Sequence, residues 1–287
     1  MATIELTGTK PQDIPELARI CFEAFATFHD HHKFPRDIPN LDFAVHIITM
    51  MVNRPDFFGV VARVDGKIVG SNFLSCSDPI GGVGPITVDP AFDGRGVGRA
   101  LMTGVLAHAR SIGMEQVRLM QDSFNTKSLS LYASVGFNVR EPVGLMVAKP
   151  AADPEPTVRR ATSDDLGALD NLSRRFYKSS RKGELAAAIA GGLPVFLREM
   201  DGEATGYLIP GLIGHGVAEM EDDALALVGE AARNAPPEAA LFFCPLSHAD
   251  FYRSALQAGH RLRKIMNYMT VGPFERPEGI WMPSIGY

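Results

Sequence analysis

The feature that most constrains the fold is a pattern that occurs twice, once at the start of the chain and once after its midpoint. Ile4-Glu5-Leu6 is followed by Thr9, Asp13, Ile14 and Leu17, and in the same order Val158-Arg159-Arg160 is followed by Thr162, Asp165, Leu166 and Leu169. Segments 60–70 and 195–206 each place Asp-Gly between apolar runs, which predicts a β-hairpin because Asp-Gly tolerates the positive φ of tight turns. With 287 residues, the chain is predicted to contain two similar domains of about 150 residues each.

A proline-rich segment separates the two copies of this pattern. Residues 149–156 contain Pro150, Pro154 and Pro156. Proline lacks an amide donor and favours extended backbone, as in linkers. We therefore predict a first domain at residues 1–148, a linker at 149–156 and a second domain at 157–287.

Composition excludes several classes of protein. Hydrophobic residues make up 46% and charged residues 21% of the chain, which favours a globular core over a disordered or fibrous chain. A net charge of −5 gives no reason to expect nucleic-acid binding. The longest apolar stretch, residues 44–52, is far shorter than the ~20 residues that span a bilayer, and the first ten residues do not resemble a secretory signal. These observations predict a cytoplasmic protein with neither a nucleic-acid nor a membrane partner.

The cysteines give no reason to expect a disulfide framework or a metal site. Cys21, Cys76 and Cys244 lie far apart in sequence, and no histidine follows at ligand spacing. We predict three reduced thiols, mostly buried, and no bound metal.

Periodicity predicts mixed strands and helices in the first half. Apolar residues at helical spacing favour a helix that begins near residue 14, and similar patterns favour later helices. The predicted helices lie at about 14–25, 41–53, 97–112 and 125–135, and the predicted strands at 60–70 (a hairpin), 82–88, 116–121 and 137–140. This order is typical of a layered unit of helices and a sheet.

Residues 88–101 join a predicted strand to a predicted helix through a turn that contains three glycines. Amide N–H groups at a helix start have no partner within the helix and are directed toward an anion placed there. The glycines allow the backbone to approach a pyrophosphate, and Arg95 and Arg99 add positive charge. The turn is therefore predicted to bind phosphate.

Two common phosphate-binding motifs do not match this turn. A P-loop ends in Gly-Lys followed by Ser or Thr, whereas this chain has Gly98-Arg99-Ala100. A dinucleotide motif needs a third glycine that is missing whether the count begins at Gly94 or at Gly96. A nucleotide-dependent oxidoreductase is thus a weak alternative.

The turn instead resembles the acetyl-CoA loop of the GCN5-related N-acetyltransferases. Residues 95–100 match the pattern R/Q-x-x-G-x-G/A directly after the end of a strand. Farther along, Asn125, Tyr132 and Gly136-Phe137 resemble the second signature of that family. Two motifs at the usual separation are more specific than either alone, and the resemblance covers most of residues 1–148.

This resemblance implies a fold, a cosubstrate and a binding site. The fold is an α+β arrangement of two tandem acyl-CoA N-acyltransferase domains, each a mixed, mostly antiparallel splayed sheet with helices on both faces. The cosubstrate is acetyl-CoA. The residues implied to bind it are Ile86, Val88, Arg95, Gly96, Val97, Gly98, Arg99, Ala100, Asn125 and Ser128.

The resemblance also implies that an amine attacks the thioester directly in a ternary complex. Backbone amides near Val88 would polarise the thioester carbonyl, and Tyr132 would protonate the leaving thiolate, since a phenol is protonated at neutral pH. Packing on the sheet is the structural alternative for Tyr132, and helix capping is the alternative for Asn125.

The acceptor and the general base are much less evident. Residues 25–34 contain three histidines and an acid where the family places the segment that covers the acceptor pocket. This segment is interpreted first as an exposed polar loop, second as a pocket or base, and third as a metal site. Glu23 and Asp122 are other candidate bases. A small amine acceptor is expected, and the chain is expected to be a monomer or a homodimer.

The second half lacks a phosphate-binding turn at the corresponding position. Residues 214–223 contain four acids where phosphates would lie, and like charges repel. We expect a degenerate copy with a structural role, whose tail at residues 280–283 packs on the first domain. A non-catalytic sensor that binds acyl-CoA is the alternative function.

Overall fold

The computed structural model describes residues 3–286, which form two compact units. Unit 1 takes in the described residues up to Val117 together with Phe124–Asn138, and unit 2 takes in Arg118–Ser123 and the described residues from Val139 onward. Unit 2 includes residues from both predicted domains, so the domain boundaries at residues 148 and 157 stay a prediction.

Unit 1 is an antiparallel sheet packed with helices. Its strands follow the order β1-β2-β3-β4, and β5 also pairs with β3. The elements are β1 (Ile4–Gly8), α1 (Ile14–His32), α2 (Leu41–Asn53), β2 (Phe57–Val64), β3 (Lys67–Ser75), β4 (Gly81–Val83), β5 (Thr87–Val88), α3 (Val97–Ser111) and α4 (Thr126–Ser134).

Local sequence signals account for most of these elements. Asp65 and Gly66 form the predicted hairpin turn with φ values of 49° and 77°. The helix predicted at 41–53 is confirmed by α2, which the Asn40 side chain caps by accepting a hydrogen bond from Phe43 N. The apolar stripe of α1 packs in a buried cluster with α2, β2 and β3.

The single strand predicted at residues 82–88 was wrong, because the structure has two short strands there. Both β4 and β5 pair with β3, and Gly84-Pro85 lies between them. Gly84 N still donates to Phe73 O at 3.0 Å, but proline has no amide to continue the ladder.

Unit 2 contains strands from both halves of the sequence. One group follows the order β6-β13-β7-β12, so β13 lies between two strands of the first half and β7 lies between two strands of the second. A five-stranded sheet follows the order β14-β11-β10-β9-β8. The elements are β6 (Val117–Asp122), β7 (Asn138–Val147), β8 (Val158–Arg160), α5 (Leu166–Tyr177), α6 (Lys182–Ala190), β9 (Phe196–Met200), β10 (Glu203–Leu208), β11 (Gly216–Ala218), α7 (Glu221–Arg233), β12 (Leu241–Pro245), α8 (Ala249–Gln257), β13 (Arg261–Val271) and β14 (Ile280–Met282).

The proline-rich segment is bound along unit 2. Ala151 N donates to Gly229 O at 3.0 Å, and Glu155 N donates to the Glu230 carboxylate at 3.2 Å. Both acceptors belong to α7, so part of the predicted linker has fixed hydrogen-bond partners.

A buried ion pair joins β13 to the end of β6. Lys264 Nζ lies 2.7 Å from Asp122 Oδ1, and their side chains are 1% and 9% exposed. We expect Lys264→Met to lower the free energy of unfolding by about 3 to 5 kcal/mol, because it leaves a buried carboxylate without this cation. Arg253→Met, which breaks an exposed pair with Asp250, should cost less than about 1 kcal/mol. Urea titration measures both values, and equal losses would contradict the burial argument.

A buried histidine in unit 2 predicts a loss of stability in mild acid. His260 is 4% exposed, and its Nδ1 accepts a hydrogen bond from Lys149 N at 2.9 Å. Burial, with the nearby Lys149 charge, lowers the pKa of His260 from 6.5 to about 4. The pKa of His260 is lower in the folded state than in the unfolded state. The stability that neutral His260 contributes is therefore fully present above pH 6.5 and is lost as the pH falls toward 4.

The His260→Asn variant tests this contribution while keeping an acceptor for Lys149 N. We expect the slope of unfolding free energy against pH between 6.5 and 4 to decrease by up to about 1.4 kcal/mol per pH unit. Denaturant titrations at several pH values measure the slope, and an unchanged slope would assign the acid sensitivity to other groups.

The tail at residues 280–283 lies within unit 2, where Ile280 and Met282 share a buried cluster with Met146 and Ala148 of the predicted first domain. Strand β14 pairs with β11 through Gly216, Val217 and Ala218. Trp281 is 1% exposed, and its Nε1 donates to His248 at 3.2 Å. The Tyr177 hydroxyl donates to the Met282 carbonyl. Burial of Trp281 and the pairing of β14 with β11 determine the position of the tail.

The acidic segment of the second half lies at the start of α7. Glu221, Asp222 and Asp223 occupy the first turn of this helix. Asp223 accepts from Met220 N at 3.3 Å and lies 2.7 Å from the Arg198 guanidinium, while Glu221 accepts from Ser254 at 3.0 Å. The helix start in the second half is thus occupied by its own carboxylates.

Two further expectations concern thiols and membranes. All three cysteines are free, and Cys21 and Cys244 are buried. Burial raises the pKa of each of these two thiols to about 12, so neither is a thiolate nucleophile at neutral pH.

In the part of the chain that the structure describes, no helix combines the length and apolar character that crossing a membrane requires.

Candidate functional site

A cleft of about 340 Å³ lies in unit 1 between β5, the glycine-rich turn and the starts of α3 and α4. Nine of the eleven residues implied by the resemblance line it. They are Ile86, Val88, Gly96, Val97, Gly98, Arg99, Asn125, Ser128 and Tyr132.

The start of α3 forms one wall of the cleft. Gly96 precedes the helix with φ at 85°, a left-handed conformation that favours glycine, and its carbonyl accepts from Ala100 N at 3.0 Å. The first-turn amides of Val97, Gly98 and Arg99 precede that first helical bond and have no intrahelical acceptor. The helix dipole adds partial positive charge here, which suits a phosphate.

A side chain at Gly98 would press against α4. An added Cβ would lie 3.1 Å from Leu131 Cδ2 on α4. A glycine therefore allows α3 and α4 to approach each other beside the cleft.

Strand β5 forms a second wall and presents its backbone. Asp89 N donates to Val69 O on β3 at 2.9 Å. Because successive amides of a strand are directed to opposite sides, the Val88 N–H is directed away from β3. An extended group in the cleft can pair with this amide.

Asn125 and Ser128 form the N-terminal cap of α4. Asn125 Oδ1 accepts from Ser128 N at 3.0 Å, and Ser128 Oγ donates to Asn125 O at 3.1 Å. The capping alternative for Asn125 is therefore confirmed. Both residues also line the cleft, and their contact with a cosubstrate stays a prediction.

Tyr132 lies on α4, is 8% exposed and lines the cleft. Its ring packs 6.2 Å from that of Phe137. The Tyr132 carbonyl accepts from Val135 N and Phe137 N at 3.1 and 3.0 Å, where Gly136 with φ at 104° ends the helix. The Gly-Phe pair of the motif thus fixes the backbone that carries the phenol.

Two predicted residues do not line the cleft, and five others were missed. Arg95 is exposed, with its guanidinium 5.1 Å from the centre of the Phe92 ring, and Ala100 also lies outside the lining. The additional lining residues are Phe92, Asp93, Gly94, Lys127 and Leu131. Leu131 lies three residues after Ser128 on α4, a helical spacing that could have indicated it, whereas Lys127 is at no such spacing from Asn125.

The segment at residues 25–34 is largely helical, so its interpretation as a polar loop was wrong. Helix α1 continues to His32. His29 is fully buried, with Nδ1 2.8 Å from Phe25 O and Nε2 3.4 Å from an Asp37 carboxylate oxygen. His31 is exposed. None of the three histidines in this segment lines the cleft described above.

Aromatic stacking supports the residue just before the α4 cap. Phe124 stacks on Phe34 with ring centres 4.0 Å apart and on Phe28 with ring centres 5.1 Å apart. Since Phe124 directly precedes Asn125, these contacts position the start of α4.

The other two candidate bases are engaged in ion pairs. Glu23 pairs with Arg19, which also lies 2.7 Å from Glu16 and 3.1 Å from Asp89. Asp122 pairs with Lys264 in unit 2. Neither Glu23 nor Asp122 lines the cleft.

Comparison with known proteins matches the first half of the chain to one family. A model of the acetyltransferase (GNAT) family matches residues 14–137. Mycothiol acetyltransferase from Propionibacterium freudenreichii is 38% identical over 98 residues, 32% of this chain and 31% of that protein. Mycothiol acetyltransferase from Thermobispora bispora is 51% identical over 59 residues, 21% of this chain and 20% of that protein. The chain thus matches less than a third of the length of each of these relatives.

Solved structures show a similar fold over nearly the whole chain. A provisionally assigned acetyltransferase from Pyrococcus horikoshii has a TM-score of 0.79 at 16% identity, covering 99% of this chain and 93% of that chain. A GCN5-related N-acetyltransferase from Sphaerobacter thermophilus has a TM-score of 0.62 at 16% identity, covering 96% and 97%. The predicted fold class, with mostly antiparallel sheets and helices, is confirmed. By the family model, which covers less than half of the chain, residues 14–137 form a GNAT acetyltransferase domain.

Proposed function

We propose that this chain is an acetyl-CoA-dependent N-acetyltransferase that acetylates a primary amine of a small acceptor. The observation that carries the proposal is that nine of the eleven residues implied by the family resemblance line one cleft. That cleft lies within the segment that matches the GNAT family.

The residues present suit a thioester joined to a nucleotide. The helix start at Val97–Arg99 offers amides and positive partial charge to a pyrophosphate, and the Arg99 side chain adds a full charge. The Val88 amide, directed away from β3, can donate to the extended arm or to the thioester carbonyl. A preorganised donor of this kind is typically worth about 3 kcal/mol in the transition state.

The proposed reaction is a direct transfer in a ternary complex. The amine nitrogen attacks the thioester carbonyl carbon, a C–N bond forms and the C–S bond breaks. Tyr132 donates its phenolic proton to the departing sulfur, and the amine loses its proton to solvent. The products are an amide and a free thiol, and proton exchange with water restores the phenol.

The relatives guide the choice of acceptor. The matched proteins are named mycothiol acetyltransferases, so the amine that those enzymes acetylate is the first acceptor to test. The net charge of −5 also favours a cationic amine over an anionic one.

A specific observation supports the non-catalytic sensor as a second candidate. Asp93 is the one carboxylate among the residues that line the described cleft, and it is paired with Lys127. A protein with this cleft could bind acyl-CoA without turnover if no acceptor is deprotonated beside it.

The two functions are separated by an acceptor screen. The purified full chain is incubated with acetyl-CoA and a panel of amines, thiol release is measured with a disulfide reagent, and products are identified by mass. Acceptor-dependent thiol release with a matching acetylated product supports the transferase. Binding of acetyl-CoA without release across the panel supports the sensor. Failure to bind acetyl-CoA contradicts both.

A further inference from the structure

We propose that Lys127 binds a phosphate of the nucleotide part of acetyl-CoA, and that Asp93 competes with this phosphate for the Lys127 ammonium. The inference rests on the proposed function and adds a residue that determines specificity. Lys127 thereby makes the cleft bind acetyl-CoA more tightly than an acetyl thioester that lacks the nucleotide.

The geometry places an ion pair at the cleft between two walls. Asp93 belongs to the glycine-rich turn before α3, and Lys127 is the second residue of α4. Both residues line the cleft, and the Lys127 ammonium is paired with the Asp93 carboxylate. The pair therefore lies where the turn and α4 face the same ligand.

Asp93 carries the wrong charge for a site that takes phosphates. Its Oδ1 accepts a hydrogen bond from Gly94 N at 2.9 Å, which holds the carboxylate at the turn. A phosphate at the start of α3 would be repelled by this carboxylate unless a cation screens it. Lys127 is the cation paired with it, so the two side chains act together on any phosphate that enters.

The internal pair is weak enough to be exchanged. The side chains of Lys127 and Asp93 are 64% and 62% exposed, and ion pairs with such exposure contribute little to stability. Lysine has a flexible stem with three rotatable donors, whereas phosphate offers more negative charge than a carboxylate. Transfer of the ammonium from Asp93 to a phosphate is therefore favourable.

This exchange also explains how positive charge is distributed around the cleft. Arg95, which the motif implies as a phosphate ligand, does not line the cleft, and its guanidinium lies over the ring of the lining residue Phe92. Lys127 lines the cleft instead and can supply that charge from α4. Arg99 adds a second cation to the same lining.

The test compares two thioesters in matched variants. Dissociation constants for acetyl-CoA and acetyl-pantetheine, which lacks the nucleotide, are measured with the full chain, Lys127→Met, Asp93→Asn and Lys67→Met. Lys67 is exposed in the β2–β3 hairpin, so Lys67→Met makes the same charge change away from the cleft. Thermal melting confirms that each variant is folded.

We expect Lys127→Met to weaken acetyl-CoA binding about five- to tenfold and to leave acetyl-pantetheine binding unchanged. Asp93→Asn should strengthen acetyl-CoA binding about two- to fivefold, because it removes both the competitor and the repulsion. The salt dependence of acetyl-CoA binding should decrease in Lys127→Met. Acetyl-dephospho-CoA, which lacks the 3′-phosphate, shows which phosphate Lys127 binds. If Lys127→Met no longer weakens binding of this ligand, Lys127 binds the 3′-phosphate. If Lys127→Met still weakens it, Lys127 binds the pyrophosphate.

Two results would overturn the inference. The first is an equal effect of Lys127→Met on both thioesters, and the second is an effect of Lys67→Met as large as that of Lys127→Met. If the parent chain binds acetyl-CoA and Lys127→Met binds it equally well, only this inference fails. If the parent chain does not bind acetyl-CoA, the proposed function itself fails.

Discussion

Tyr132→Phe should lower kcat for the true acceptor by about 10²- to 10⁴-fold, the contribution typical of a general acid. The expected cause is loss of the proton given to the departing thiolate, since phenylalanine keeps the ring that packs beside Phe137. The Kd for acetyl-CoA should change less than twofold. Steady-state thiol release gives kcat, and calorimetry gives Kd.

The matched control is Tyr252→Phe, which removes a hydroxyl from a tyrosine on α8 in the second half. Tyr252 is half-buried against the core of unit 2 and should tolerate the change with normal turnover. If Tyr132→Phe also retains full turnover at every pH tested, the thiolate leaves without this proton. Tyr132 would then have only a packing role.

Gly98→Glu should abolish measurable acetyl-CoA binding, a loss of more than about 100-fold. Two effects act together. The new Cβ would lie 3.1 Å from Leu131 Cδ2, and the carboxylate would enter the anion-binding start of α3. Equilibrium titration with acetyl-CoA measures the loss.

Gly167→Glu provides a close control because Gly167 is also the second residue of a helix, α5, with no atom within 4 Å of an added Cβ. It should bind acetyl-CoA as the parent chain does. Melting curves show whether each variant is folded. A folded Gly98→Glu that binds with parental affinity would place the nucleotide elsewhere.

Sequence patterns predicted the elements whose causes are local. The hairpin at Asp65-Gly66, the helix capped by Asn40 and the helix after Gly96 each depend on a few neighbouring residues. The insertion of β13 between β6 and β7 was not predicted, because strand order depends on contacts between segments more than a hundred residues apart. The break at Pro85 was also missed, since the apolar pattern continues through it.

The site was predicted well where motifs specify backbone geometry. Glycine spacing placed Gly96 and Gly98 at the helix start, and the second motif placed Asn125 and Tyr132 on the facing helix. Side-chain direction was less predictable. The motif assigned phosphate binding to Arg95, but that side chain stacks on Phe92, and sequence alone does not show that Lys127 meets Asp93.

The central claim is that the cleft in unit 1 binds acetyl-CoA, and calorimetric titration of the full chain with acetyl-CoA tests it most directly. We predict saturable binding by the parent chain and by Gly167→Glu, with no saturable binding by Gly98→Glu. Ligand at about 100 times its Kd should also stabilise the parent by about 2.7 kcal/mol in thermal unfolding. Absence of both binding heat and thermal stabilisation in the folded parent chain would contradict the account.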